Sequence, residues 1–171
     1  MRRKSDFATT LSDMFCDDEK KRITAIKMIK EIASVMGPAR VRNEFVPFLN
    51  GNNFNMVEFL DDDPPVMSAV LTELQNFSPY LGGSEFDQIL LPLLISFCGL
   101  DEKEVAMKAV QLIEAILEKH SDASLDVIRK IAKMNMAVSK ESAILLIAST
   151  VTKIPHLEQT LLEIYRSILF S

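Results

Sequence analysis

The sequence predicts an all-α chain: an α-α superhelix of about four and a half stacked helical hairpins. Apolar residues recur at steps of three and four, the spacing that lines one face of a helix. No stretch alternates apolar and polar residues for long enough to make a strand. The apolar stripes themselves repeat with a period near 40 residues, and two helices at that period make a helical-hairpin solenoid.

The first hairpin is expected over about residues 5–36. Its second helix is drawn by Ile23, Ile26, Ile29, Ile32, Ala33 and Met36, and Gly37-Pro38 ends it. The second, about 39–81, opens with Phe45-Val46-Pro47-Phe48-Leu49 and passes a loop from Asn50 to Pro65. It closes with Val70, Leu71, Leu74, Phe77 and Leu81, ahead of Gly82-Gly83. The third, about 84–120, carries Leu90-Leu91-Pro92-Leu93-Leu94 and then Val105, Ala109, Val110, Ile113, Ile116 and Leu117. The fourth, about 123–153, has helices from Leu125 to Met136 and from Lys140 to Lys153. The fifth, 156–171, has a first helix only, His156 to Phe170. Gly37 and Gly82, Pro47 and Pro92, and Leu49 and Leu94 are each 45 positions apart (82 − 37); Leu71 and Val110 are 39 apart (110 − 71).

A hairpin of this kind cannot bury both of its apolar faces alone, so each repeat is expected to cover the one before it, in a single array over 1–171. Pro47 and Pro92 stand inside first helices. Each removes a backbone hydrogen bond and is expected to kink its helix, at a cost of roughly 3 kcal/mol in a regular α-helix.

Composition narrows the function. Hydrophobic residues are 48% and charged residues 25%, so the chain has the apolar content to bury a core and is not a disordered polyelectrolyte. The net charge is −5, which lacks the basic footprint of a nucleic-acid binder. The longest apolar stretch, Ile89 to Leu100, is broken by Pro92 and Ser96 and falls short of the roughly 20 residues of a membrane span. Arg2-Arg3-Lys4 is followed by no apolar run, so no secretory signal is expected. Two cysteines, Cys16 and Cys98, make no disulfide framework and suit a reducing, intracellular compartment.

The residues give little support to catalysis, so no catalytic residue, metal site or cofactor is expected. The two histidines, His120 and His156, lie on different repeats, and no Cys/His group has metal spacing. His120 at a helix end suits the helix dipole. Cys16 and Cys98 each close a first helix, where a buried, inert thiol is the ordinary outcome. Gly82-Gly83 lacks the strand and further glycines of a phosphate loop and reads as a helix stop.

Carboxylates instead gather between the two helices of successive hairpins. Asp17-Asp18-Glu19 is in the first turn, Asp61-Asp62-Asp63 in the second and Asp101-Glu102 in the third. At helix starts such groups cap the helix and favour its dipole. Stacking also brings successive turns together, so their summed charge can serve as a docking surface for a basic partner.

At this level of detail the chain resembles a family. The two-helix unit, with a proline in the first helix and an acidic turn before the second, resembles HEAT repeats. Residues Leu11 to Asp122 more closely resemble the N-terminal repeats of the scaffold (A-type, regulatory) subunits of protein phosphatase 2A. The phrases that carry the likeness are Ala25-Ile26-Lys27-Met28-Ile29 followed by Ile32-Ala33, Phe45-Val46-Pro47-Phe48-Leu49, Tyr80-Leu81-Gly82-Gly83, and Leu90-Leu91-Pro92-Leu93-Leu94; Lys108-Ala109-Val110 and His120-Ser121 continue it. Asp18 and Arg22 match the Asp and Arg of the HEAT side-chain ladder, whereas Met67 and Ala106 stand where later units would carry the Arg.

The resemblance implies a non-enzymatic scaffold. Its N-terminal repeats would receive a regulatory (B-type) subunit on the intra-repeat turns, and the catalytic phosphatase subunit would be held only by repeats missing here. No nucleic acid and no membrane is an expected partner, and the expected compartment is the cytoplasm, or also the nucleus. The alternative is a HEAT-repeat adaptor in transport or trafficking that binds unrelated peptides. Two further expectations concern apolar surface. Leu157, Leu161, Leu162, Ile164, Tyr165, Ile168 and Leu169 crowd the last helix, which is expected to self-associate or to fray. The Asn50 to Pro65 loop carries Phe54, Met56, Val57, Phe59 and Leu60, which are expected to fold back on the turns or to await a partner.

Overall fold

The computed structural model describes residues 9–49, 63–134 and 136–170. Among the described residues every regular element is helical, as the periodicity requires. Backbone contacts divide the chain into two compact units, Met1–Ile89 and Leu90–Ser171.

In the first unit, residues 9–13 are helical and lead to α1 (Glu19–Ile26) and α2 (Ile29–Met36). The sequence predicts one helix here; the structure breaks it at Lys27-Met28. The cause is in the spacing. Ile23, Ile26, Ile29 and Ile32 recur every three residues, and in a straight helix of 3.6 residues per turn each step would rotate the stripe by about 60°. The Met28 amide bonds to the Ala25 carbonyl, three residues back, at 3.0 Å. That tighter turn advances further per residue and keeps Ile26, Ile29 and Ile32 buried.

Gly37, at φ 80°, ends α2 and starts a helix in three segments: α3 (Pro38–Arg40), a π-helical stretch (Val41–Phe45) and α4 (Val46–Leu49). Where a kink is expected at Pro47, the structure has a π-helical stretch in the preceding turn. The ring of Pro47 would crowd the carbonyl four residues back, and the wider π turn just before it makes room. Pro92 differs from the expectation: a 3-10 segment (Ser84–Leu90) precedes it, and it occupies the first turn of a new helix, where no N–H is missed. All the other prolines also begin helical elements.

The unit continues with α5 (Pro64–Leu74) and α6 (Ser78–Leu81). α5 lies against α1, second helix beside second helix. Gly82 at φ 99° closes α6, and the Gly83 amide reaches back to the Ser78 carbonyl at 3.0 Å. Phe77, Leu71, Leu81, Leu49, Ile26 and Ile29 are fully buried and form the centre of the unit.

The second unit holds α7 (Leu91–Phe97), α8 (Lys103–Leu117), α9 (Ser124–Ala132), α10 (Ala137–Lys153) and α11 (Glu158–Leu169). α9 lies between α7 and α11 in one layer, and α8 lies beside α10 in the other. This is the two-layer stacking of helical hairpins, seen within one unit. α9 is shorter than the Leu125 to Met136 expected, because Ala132 is its last residue. Only Leu161 and Ile168 of α11 are buried; Leu162, Leu169 and Phe170 face water.

Candidate docking turns

The first acidic turn is built by α1. Asp18 adopts an extended backbone, and its Oδ1 accepts from the Lys20 and Lys21 amides at 2.9 and 3.2 Å. Those are two of the donors that a helix start leaves unpaired. Asp18 is therefore first a cap, which the proximity of an acid to a helix start already suggests. Asp17 and Glu19 on either side are exposed and have no side-chain hydrogen bond or ion pair among the described residues.

The second turn keeps only Asp63 in view; Asp61, Asp62 and residues 50–62 of the expected apolar loop lie outside the described residues. Asp63 precedes α5 and meets Arg22 of α1, with Nη2 donating to Oδ2 at 3.2 Å. Arg22 Nη1 also donates to the Cys16 carbonyl at 2.8 Å. One guanidinium thus joins the end of the first helix, the second helix and the next repeat's acidic turn. Asp63 stands 45 positions after Asp18 (63 − 18), so the Arg of one repeat finds the acid of the next. Met67, 45 positions after Arg22, is buried and carries no such rung onward.

The third turn lies in the second unit. Glu102 is the residue before α8, extended at φ −78° and ψ 93°, and it makes no side-chain cap. Asp101 and Glu102 are both exposed, with no side-chain partner among the described residues. The neighbouring Lys103 pairs with Glu141 of α10 at 2.6 Å and so ties this turn to the next hairpin. Of the eight acids predicted, Asp18 and Asp63 thus hold the fold, while Asp17, Glu19, Asp101 and Glu102 point free charge at solvent.

No group of three or more His, Cys, Asp or Glu among the described residues could hold a metal. No helix among them is long and apolar enough to cross a membrane. Cys98 is buried at the end of α7, and burial pushes its thiol up to about 12, against a weaker opposing effect of Ser142. That thiol is no nucleophile at neutral pH. Cys16 is half-exposed, so burial holds for only one of the two.

One cluster escapes the sequence reading. The Arg42 guanidinium donates to the Leu81 carbonyl and lies 4.0 Å from the centroid of the Phe86 ring. It clamps the Gly82 turn to the π-helical segment. Gly82 is legible as a stop, but no local pattern links it to an arginine so far back along the chain.

No family model matches the chain. The chain is similar to several regulatory subunits of one phosphatase. It is 38% identical over 104 residues to the alpha isoform of the 65 kDa regulatory A-type subunit of serine/threonine-protein phosphatase 2A from Arabidopsis thaliana, covering 61% of this chain and 16% of that protein. It is 32% identical over 166 residues to the A-type regulatory subunit of protein phosphatase PP2A from Saccharomyces cerevisiae, covering 92% of this chain and 25% of that one. A probable PP2A regulatory subunit of Caenorhabditis elegans is 27% identical over 167 residues, 94% of this chain and 27% of its own length. The chain thus spans about a quarter or less of the length of the Arabidopsis and yeast relatives.

Proposed function

We propose that this chain, a relative of the 65 kDa A-type regulatory subunits of protein phosphatase 2A, is a non-enzymatic scaffold that docks a regulatory (B-type) subunit on its intra-repeat turns. The observation that carries this is the division of labour among the acids. Asp18 and Asp63 are committed to the fold. Asp17, Glu19, Asp101 and Glu102 are exposed charges with no structural partner among the described residues. Free charge on such turns steers a basic partner and fixes its register.

The mechanism is geometric. The repeats hold a regulatory subunit so that it presents substrate to a phosphatase held by other repeats of the scaffold. The same reading takes 1–171 as one functional array working in the cytoplasm, and includes self-association through the exposed apolar side of α11. An adaptor for transport peptides is not favoured, since the relatives named above are phosphatase regulatory subunits.

Charge reversal decides it. Asp101→Lys with Glu102→Lys removes no side-chain cap, and acids at a helix start contribute only about 0.3–1 kcal/mol each through the dipole. Helicity and melting should hold while capture of a B-type regulatory subunit from extract falls at least fivefold. The control is Asp126→Lys, an exposed site on α9 whose pairing with Lys130 at 2.7 Å is a surface ion pair. Equal capture by wild type, turn variant and control refutes docking at this turn.

A further inference from the structure

A cleft of about 340 Å³ opens in the second unit, where the ends of α8 and α10 meet the 3-10 turn Ser121–Ala123. That is the end of the hairpins away from the acidic turns, and nothing in the proposed scaffold role uses it. Its volume lies at the lower end of the range for binding pockets. Leu117, Leu146 and Ile154 give it an apolar lining. Two carboxylates, Glu114 and Glu118, line it as well, with Ser149 and the buried Thr150. Both long helices end at it, so their negative dipole ends add to the carboxylates.

One cation already samples this environment. Lys153 Nζ meets Glu118 Oε1 at 2.7 Å across the mouth, with 45% of the lysine side chain and 58% of the glutamate exposed. An exposed pair of this kind is held weakly and exchanges readily with a better-matched donor. The chemistry defines that donor. A methylene stem suits the apolar lining. A planar head with several fixed N–H donors suits two carboxylates flanked by hydroxyls, because those oxygens can all accept.

We propose that this cleft receives an arginine side chain presented by a partner protein, with the guanidinium displacing Lys153 from Glu118 and bridging to Glu114. The argument for the occupant is charge complementarity, and it is independent of the phosphatase reading.

The probe is N-acetyl-arginine amide, titrated into the isotope-labelled protein and followed by amide chemical shifts. Its neutral isostere, N-acetyl-citrulline amide, is the comparison. The arginine probe should shift Glu118, Ser121, Ser149, Thr150 and Lys153, while the citrulline probe should not. Lys153→Gln removes the internal competitor and should tighten binding at least threefold. Glu114→Gln with Glu118→Gln should weaken it at least fivefold. Equal shifts from the two probes, shifts confined to the acidic turns, or an unchanged affinity in Lys153→Gln would each overturn the proposal. The single variant Lys153→Gln loses only a surface contact, so it stays interpretable if the double variant does not fold.

Discussion

Replacing Arg22 by methionine tests whether one guanidinium joins successive hairpins of the first unit. The side chain donates to the Cys16 carbonyl at 2.8 Å and to the Asp63 carboxylate at 3.2 Å. The two bonds are unequal. Asp63 is 61% exposed, and an ion pair facing water is worth at most ~1 kcal/mol. Arg22 is 12% exposed, and a hydrogen bond from a charged donor in so dry a place is worth ~1.5–3 kcal/mol. Methionine keeps much of the packing of the arginine stem. Met67, at the equivalent position one repeat on, is 3% exposed, so a thioether suits that position in the repeat. The net loss should be about 2 kcal/mol, with Asp63→Asn costing under ~1 kcal/mol and the double variant costing less than the sum of the two. Urea unfolding followed by circular dichroism measures the loss, and hydrogen exchange across α1 assigns it to the first unit. If Asp63→Asn costs as much as Arg22→Met, the ranking of the two bonds is wrong. If Arg22→Met falls within ~0.5 kcal/mol of wild type, the rung itself is refuted.

Three other outcomes are expected. Gly82→Ala should destabilise the first unit by ~2–4 kcal/mol, because φ is 99° and the new Cβ would lie 2.7 Å from Arg42 Nη1; a melting temperature unchanged by the substitution would show that the turn relaxes freely. Thiol reagents at pH 8 should modify Cys16 quickly and Cys98 only on unfolding. Because the folded Cys98 value is raised from 9.0 to about 12, its stabilising contribution is complete below pH 9 and is lost as pH rises towards 12; equal labelling rates for the two thiols would contradict the burial. Leu162, Leu169 and Phe170 are 42%, 56% and 87% exposed, so sedimentation should show concentration-dependent association that Leu162→Glu with Leu169→Glu abolishes; a monomer at every concentration rules it out.

What the amino-acid sequence determined by itself is local and periodic. The stripes through Val70, Leu71 and Leu74, and through Val105, Ala109, Ile113 and Ile116, became buried helix faces because side-chain direction follows from helical spacing alone, whereas Phe77 is buried in the break between α5 and α6. Gly37 and Gly82 end helices at positive φ, where a side chain would be strained. The 45-residue offset puts Asp18 and Asp63 at equivalent places in successive turns.

Only the tertiary structure decided how those parts are used. The break at Lys27-Met28 and the π turn before Pro47 depend on which face must meet a neighbour, and periodicity leaves that open to within a fraction of a turn. Whether an acid caps, bridges or stands free is settled by the group that arrives from elsewhere in the chain. Asp18 found its own helix, Asp63 found Arg22, and Asp101 and Glu102 found water. The Arg42 clamp on the Leu81 carbonyl and the cleft beside Lys153 arise the same way, from residues separated by 39 and 35 positions respectively that only packing brings together.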